Sequence, residues 1–406
     1  MRGGGHMPIS DAANINSTGV LLTSTNLNTL KLSDDKETMS IGPGPRWGDV
    51  FQYLEGTNLT VIGGRLAPVG VPGLLLGGGG KIKAYEAVLA DGTIATVTAT
   101  SKYKDLYWAL QGGGNSFALI TRFDLQTFFA ETPLLADANY GSSNATRDAW
   151  LANILDFALN VDKDGDTGAA VIPVARWGPN FTAPLYQTTL FYNGTTPPTT
   201  GPFNEFVNGT KLQALNGTST LQRVSLAQYG TAMRPAFQPG GQSYGLNQKF
   251  HVVSTKATLK AVSIVHDTYF SSLQASGMAD RLPGFFSGLA WNCITKSWAA
   301  ASQGAPQNMP QGPQFWVEQS LTWESADDSA EIEEWVASVN AEILEKLVAA
   351  NATERYTYLN DADKGQAVFR TYGEENLEKL KAIRAKYDPR RVFTDLMPGG
   401  FKVAHE

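Results

Sequence analysis

Arg2-Gly3-Gly4-Gly5-His6 is the segment of this 406-residue chain whose residue types and spacing come nearest to chemistry. Three successive glycines let the backbone turn tightly with its N–H groups exposed, a concavity suited to an anionic diphosphate. The arginine adds charge for such an anion, and the histidine offers a nucleophile or a base. Taken alone, a Gly-rich tag or linker is the plainer reading. The other glycine clusters do not complete a nucleotide motif. A G-x-G-x-x-G pattern starting at Gly42 and Gly44 meets Trp47 where the third glycine is required, and one starting at Gly112 and Gly114 meets Phe117. Gly80-Lys81 is followed by Ile82, and position 75 is Leu, so a P-loop fails as well.

Composition narrows the remaining classes. With 17% charged and 42% hydrophobic residues the chain reads as globular. A net charge of -6 excludes nucleic acid and an anionic membrane surface as expected partners. No apolar run approaches the roughly 18 residues of a membrane span, and the first residues lack the apolar core of a secretory signal. The single cysteine, Cys293, permits no internal disulfide and reads as a small buried apolar residue. The four histidines, His6, His251, His266 and His405, lie far apart, and no metal site is expected. Eight N-x-[ST] sequons occur, at Asn16, Asn58, Asn144, Asn180, Asn193, Asn208, Asn216 and Asn351. They point to an N-glycosylated surface and the secretory pathway; accidental enrichment in Thr- and Asn-rich loops is the alternative.

Several further segments follow the glycine loop in a fixed order. They are Ala13-Asn14-Ile15-Asn16, Gly42-Pro43-Gly44-Pro45-Arg46-Trp47-Gly48-Asp49-Val50, and the stretch from Gly63-Gly64-Arg65 to Gly77-Gly78-Gly79. Leu89-Ala90-Asp91-Gly92 and Asp105-Leu106-Tyr107-Trp108 through Gly112-Gly113-Gly114-Asn115-Ser116-Phe117 come next, and Tyr387-Asp388-Pro389 and Pro398-Gly399-Gly400-Phe401-Lys402 close the chain. The series resembles the fungal FAD-linked oxidoreductases of the berberine-bridge-enzyme-like branch of the vanillyl-alcohol-oxidase superfamily. That resemblance implies a PCMH-type FAD-binding lobe and FAD bonded through its 8α-methyl carbon to His6. Arg2, Gly3, Gly4 and Gly5 would form the diphosphate loop. Gly63, Gly64, Val69, Gly70 and Gly73 match the loop that lets backbone approach the cofactor. Leu66 stands where some members carry a second attaching cysteine, so the attachment is expected to be single. Tyr358-Leu359-Asn360-Asp361 matches the segment that brings polar side chains to the isoalloxazine. Tyr358 and Asn360 are therefore the catalytic candidates, Tyr358 for the substrate proton; a ring packed in a strand is the competing reading of Tyr358.

The elements that must position these residues are legible in outline. Residues 1–128 read as short strands punctuated by glycine, with strands at Val20-Leu21-Leu22-Thr23, Thr38-Met39-Ser40-Ile41, Leu59-Thr60-Val61-Ile62 and Ala95-Thr96-Val97-Thr98, and a helix from Trp47 to Leu54. Residues 129–357 form the substrate lobe, an antiparallel sheet covered by helices. Phe315 to Trp323 alternates as a strand, and Asp327 to Ala350 is an amphipathic helix capped by Asp327 or Asp328. Residues 358–406 return to the FAD lobe through a helix from Asn376 to Lys386, and the fold class is α+β.

Two departures from the family pattern bear on function. The lobe that family members place before the Arg-Gly-Gly-Gly-His loop does not precede it here. After Gly79, about a dozen residues that usually lie near the cofactor are missing, and Lys81 and Lys83 look foreign to the strand that follows. An interrupted flavin domain would leave strand edges unpaired. The expected function is two-electron oxidation of a small organic molecule, a secondary-metabolite intermediate or a carbohydrate, with O2 as acceptor. The alternatives are an inactive relative and a cyclase that uses the same pocket.

Overall fold

The computed structural model describes residues 1–163 and 168–406, which form two large antiparallel sheets, a two-stranded ribbon of Leu59–Thr60 with Phe128–Phe129, and helices. The first, five-stranded sheet has the order Leu30–Leu32, Thr38–Ile41, Leu119–Gln126, Ile82–Val88, Ile94–Thr98. The second, seven-stranded sheet has the order Gln222–Arg223, Leu134–Tyr140, Leu185–Tyr192, Ala169–Trp177, Phe286–Ile294, Gln314–Trp323, Asn247–Lys256. A hydrophobic core lies against each. The first is built around Trp47, Tyr85, Phe117 and Phe123 and takes in Tyr356, Phe369 and Leu380 from the C-terminal segment. It also recruits Val252, Ile294 and Trp316 from the second sheet, so the two lobes share a seam.

The seven-stranded sheet shows how alternation builds two different faces. Along Gln314–Trp323, Phe315, Val317, Leu321 and Trp323 join the second core. They pack with Val265, Tyr269, Ile332, Val336 and Ile343 from the helices Leu259–Ser276 and Ser329–Ala349. Gln319 also points to this side, where it exchanges two hydrogen bonds with Asn340 at 2.7 and 2.9 Å. The residues between, Trp316, Glu318 and Ser320, take the opposite face. Register carries that face across the sheet: Val252, Glu318, Ala290, Val174 and Gln187 stand directly opposite one another on successive strands. This second face turns toward the first lobe.

Helix starts follow side-chain chemistry. Ser143 accepts the Thr146 amide at the head of Asn144–Asn160, and Thr258 accepts that of Ala261 at the head of Leu259–Ser276. Asp328 stands at the N-cap of the long amphipathic helix, as expected, but its side chain accepts no amide. Ser325 accepts the Asp327 amide and starts a 3-10 turn, from which the helix continues as Ser329–Ala349. One other expectation is corrected. Residues 20–23 form no strand; only Leu21 of the four is half-buried, and among the described residues Thr23 makes a single bridge, to Arg2, on which no ladder builds. The shortened stretch after Gly79 closes on itself but leaves a short open edge, as expected. The amides of Gly78 and Gly79 bond Leu75 and Leu74 oxygens; Ile82 pairs with Leu125 on one side, while on the other side pairing with Ile94–Thr98 begins only at Ala84, past a register shift between Ile82 and Ala84. Lys83 lies on the exposed side and reaches Thr38 Oγ1 at 2.9 Å.

Trp150 tests the second core. Its ring is fully buried, edge-on to Trp291, and its N–H donates to Thr188 Oγ1 at 3.0 Å. Trp150→Ala is expected to cost about 3–5 kcal/mol in denaturant unfolding of this lobe, whereas a cost below about 1 kcal/mol would show that the core does not depend on it.

Candidate functional site

The glycine loop is held by backbone. Arg2 N donates to Leu22 O and Ser24 N to Arg2 O, at 2.8 and 3.0 Å. Beyond that bridge, Gly4 lies directly on Gly70: a Cβ on either would fall 2.3 Å from the other's nitrogen. A Cβ on Gly3 would meet the Pro72 ring at 2.4 Å. Gly5 has φ +64, the left-handed region that glycine enters at little cost. Among the described residues, the amides of Gly3, Gly4 and Gly5 donate to no backbone carbonyl.

His6 follows on the wall of a cleft of about 1380 Å³. The Gly4–Ser10 stretch, Arg46, Pro68, Arg234 and Phe237 line one side of it. Lys249 and His251 from an edge strand, Glu333 from the long helix, and Asp363 and Gln366 line the other. The imidazole lies 5.6 Å from the Phe237 ring. Burial, followed by the nearby Arg46 guanidinium, pushes its pKa below the usual histidine value, so the ring is neutral at pH 7 with a lone pair to offer. Arg46 is itself fixed by a hydrogen bond from its guanidinium to Pro68 O, and Arg234 pairs with Asp49 at 3.4 Å.

Free amides, two guanidinium groups and a neutral imidazole in one cleft form the donor set that an FAD diphosphate and a covalent ring tether require. The space where a Cβ is forbidden confirms how closely the backbone segments approach. The residues therefore fit the cofactor. Their division of labour differs from the sequence expectation. Arg2 turns away, its Nη1 donating to Asn14 Oδ1 at 3.0 Å, and Arg46 and Arg234 face the cleft. Gly63 and Gly64 are occupied with Trp47, whose ring atoms lie 2.2 and 2.4 Å from where their Cβ atoms would be. Val69 packs against the first core, and Gly73 has open space around its Cβ position. Of these five residues, Gly70 is the one that meets the His6 segment, with Pro72 beside it against Gly3.

Tyr358 and Asn360 come together at a different place. They sit at the C-terminal end of the Val71–Leu76 helix, whose N-terminal end abuts the glycine loop. Asn360 Nδ2 donates to Tyr358 Oη at 2.9 Å and to Leu74 O at 3.3 Å. Tyr358 precedes a 3-10 turn rather than lying in a strand, and its ring stacks on Trp316 at 4.9 Å. Neither residue lines the cleft wall that carries His6. Burial, followed by the Asp361 charge, raises the Tyr358 pKa, so the phenol keeps its proton.

The sequence names Asp361 only as a member of its segment and gives no sign of Glu318. Asp361 is buried and accepts from Asn292 Nδ2 at 3.0 Å. The Glu318 carboxyl acts on Asp361 electrostatically. Burial raises the pKa of both, and the Asp361 pKa is raised further by Glu318; the exposed Arg65 lowers both. Two carboxyls desolvated together cannot readily both ionise, so the pair retains a proton. Glu318 reads in the sequence as an ordinary polar residue of a half-exposed strand, and only the register of the sheet places it beside Asp361.

Two family models match the chain: an FAD binding domain over residues 1–98, and a berberine and berberine-like segment over residues 356–395. An FAD-dependent monooxygenase of Penicillium roqueforti is 31% identical over 428 residues, covering 98% of this chain and 80% of the relative. One of Cochliobolus heterostrophus is 29% identical, with 99% and 79% covered. Among solved structures, 6-hydroxy-D-nicotine oxidase from Arthrobacter nicotinovorans superposes with a TM-score of 0.74 at 18% identity, over 97% of this chain and 84% of that one. Xylooligosaccharide oxidase from Myceliophthora thermophila gives 0.72 at 18% identity over the same shares.

The buried acid pair has a stability signature. A carboxyl whose pKa is raised by folding contributes stability that is present below the unfolded value and is lost as pH climbs through the folded one. Asp361→Asn removes that loss. Its melting temperature is expected to fall less than that of the parent as pH rises above the ordinary carboxylate range of about 4. Parallel melting curves against pH would show that Asp361 is not held protonated.

Proposed function

The chain belongs to the FAD-dependent oxidoreductases with a berberine-like C-terminal segment, and on that premise we propose that it oxidises a small secondary-metabolite intermediate with FAD tethered on His6 and O2 as acceptor. One observation carries this reading: a neutral His6 enters the inter-lobe cleft from a backbone loop too close to Gly70 to admit a side chain. FAD, when bound, supplies the two-electron acceptor that no amino-acid side chain provides.

The chain's own residues do the rest. The Gly3, Gly4 and Gly5 amides with Arg46 hold the diphosphate, and Gly70 keeps the loop closed from below. Burial holds the Glu318 and Asp361 carboxyls toward their protonated forms, and the Arg65 charge opposes this. The ionised member of the pair is the better acceptor for a substrate hydroxyl proton. Tyr358, kept protonated by burial and oriented by Asn360, is the donor that holds the substrate oxygen by a hydrogen bond. This reassigns the proton acceptor from Tyr358 to the carboxyl pair. The fungal relatives carry monooxygenase names and the structural neighbours oxidase names, which supports the redox reading over a cyclase or an inactive relative.

The exposed sequons support passage through the secretory pathway. All eight asparagines are solvent-exposed, and Asn58, Asn180, Asn216 and Asn351 sit in left-handed turns that present the side chain outward. The test of function needs no substrate. The purified yellow protein is photoreduced without air and then mixed with oxygenated buffer. Reoxidation with one hydrogen peroxide released per flavin is the expected result. A colourless protein, or reoxidation that leaves no peroxide, contradicts an oxidase.

A further inference from the structure

Gln307 occupies a second glycine cradle in the first lobe. Its side chain lies between two glycine loops: a Cβ on Gly78 would fall 2.1 Å from its Nε2, and a Cβ on Gly112 would fall 2.0 Å from it. Both glycines have positive φ, +100 and +150. The Gln307 residue is 6% exposed, and its Nε2 donates to Gln111 O at 2.7 Å. Its Oε1 is buried and, among the described residues, has no hydrogen-bond partner. A buried carbonyl left unpaired is costly, so a carboxamide with one satisfied and one orphaned end is a poor permanent occupant.

The segment that delivers Gln307 belongs to no helix or strand. Residues 302–313 run from the Lys296–Ala301 helix to the Gln314–Trp323 strand. The strap is held down by side chains on its backbone. Trp108 Nε1 donates to Gly304 O at 2.8 Å, Asn376 Nδ2 to Pro306 O at 2.9 Å, and Arg355 Nη2 to Asn308 O at 2.6 Å. All three donors lie outside the strap; Asn308 Nδ2 also donates to Tyr372 O at 3.3 Å and Met309 is buried in the first core, so lifting the strap breaks these bonds and withdraws Met309 but unfolds no helix or strand.

The cradle and the His6 loop are the two ends of one short ruler. The Val71–Leu76 helix begins at Gly70, against Gly4, and ends at Gly77, next to Gly78. Six residues at 1.5 Å rise span about 9 Å, a length comparable with a three-ring isoalloxazine. The far edge of that ring system is a cyclic imide, an N–H flanked by two carbonyls. It offers the same donor and acceptor that the Gln307 carboxamide presents to the cradle.

We propose that Gln307 is a latch: its carboxamide stands in for the imide edge of the flavin, and the strap must lift before a ring tethered on His6 can be buried. With the latch closed, the ring stays at the open cleft. This inference rests on the FAD reading, and its test separates the two.

Flavin-loaded parent protein, Gln307→Ala and Trp108→Phe are compared by iodide quenching of flavin fluorescence and by hydrogen exchange of residues 302–313. Trp108→Phe loosens the strap while leaving the cradle contact untouched. The expected result is several-fold weaker quenching in Gln307→Ala than in the parent. Faster strap exchange in both variants, with Trp108→Phe intermediate in quenching, is expected alongside it. Equal quenching in all three, with flavin present in each, overturns the latch and leaves the FAD reading standing. Absence of flavin from all three overturns both.

Discussion

The backbone contact between Gly4 and Gly70 is the constraint on which the site depends. Two glycine Cα atoms face one another with no room for a methyl group on either. The contact bends the loop so that His6 meets the cleft and starts the Val71–Leu76 helix beneath it. It also brings Arg46 close, through the bridge between Arg46 and Gly70, where its charge adds to the burial that lowers the imidazole pKa. Glycine's high backbone entropy makes such a contact unfavourable in isolation. The first core offsets that cost: Trp47, fully buried, packs on Gly63 and Gly64 and ties the 63–72 segment to the sheet.

The second sheet supplies the complementary surface. One face is closed by helices around Trp150, Trp291 and Tyr269. The other carries Glu318, Asn292 and Trp316 toward the C-terminal segment, where Tyr358, Asn360 and Asp361 meet them. That segment serves two places at once. Asp361 faces the carboxyl partner, and two residues later Asp363 lines the cleft and pairs with Lys249 at 2.7 Å. Loop 358–366 thus couples a desolvated proton site to an open, charged cleft, a division suited to a reaction that needs both.

Local pattern made much of this readable. The helix at Trp47, the strand ending at Trp323 and the long helix after Asp328 follow from period alone, and the two-lobe outline follows from the glycine-rich and aromatic halves. The N-cap position at Asp328 was readable; the 3-10 turn that Ser325 starts just before it was not, since periodicity does not encode it. Residues 20–23 have strand composition without a partner, and composition cannot report a missing partner. The site was legible in the segments that hold it and illegible in its pairings. Glu318 with Asp361, and Gln307 with Gly78 and Gly112, join residues far apart in sequence that only the folded chain brings side by side.

The direct measurement is peptide mapping of the purified protein by mass spectrometry after denaturation. Trypsin cuts after Arg2 and Lys31, so residues 3–31 form one peptide containing His6. The account predicts that this peptide carries the mass of FAD, fragments with the adduct on His6, and loses it in His6→Ala. Recovery of the unmodified peptide in full, with flavin free in solution or attached elsewhere, would contradict it.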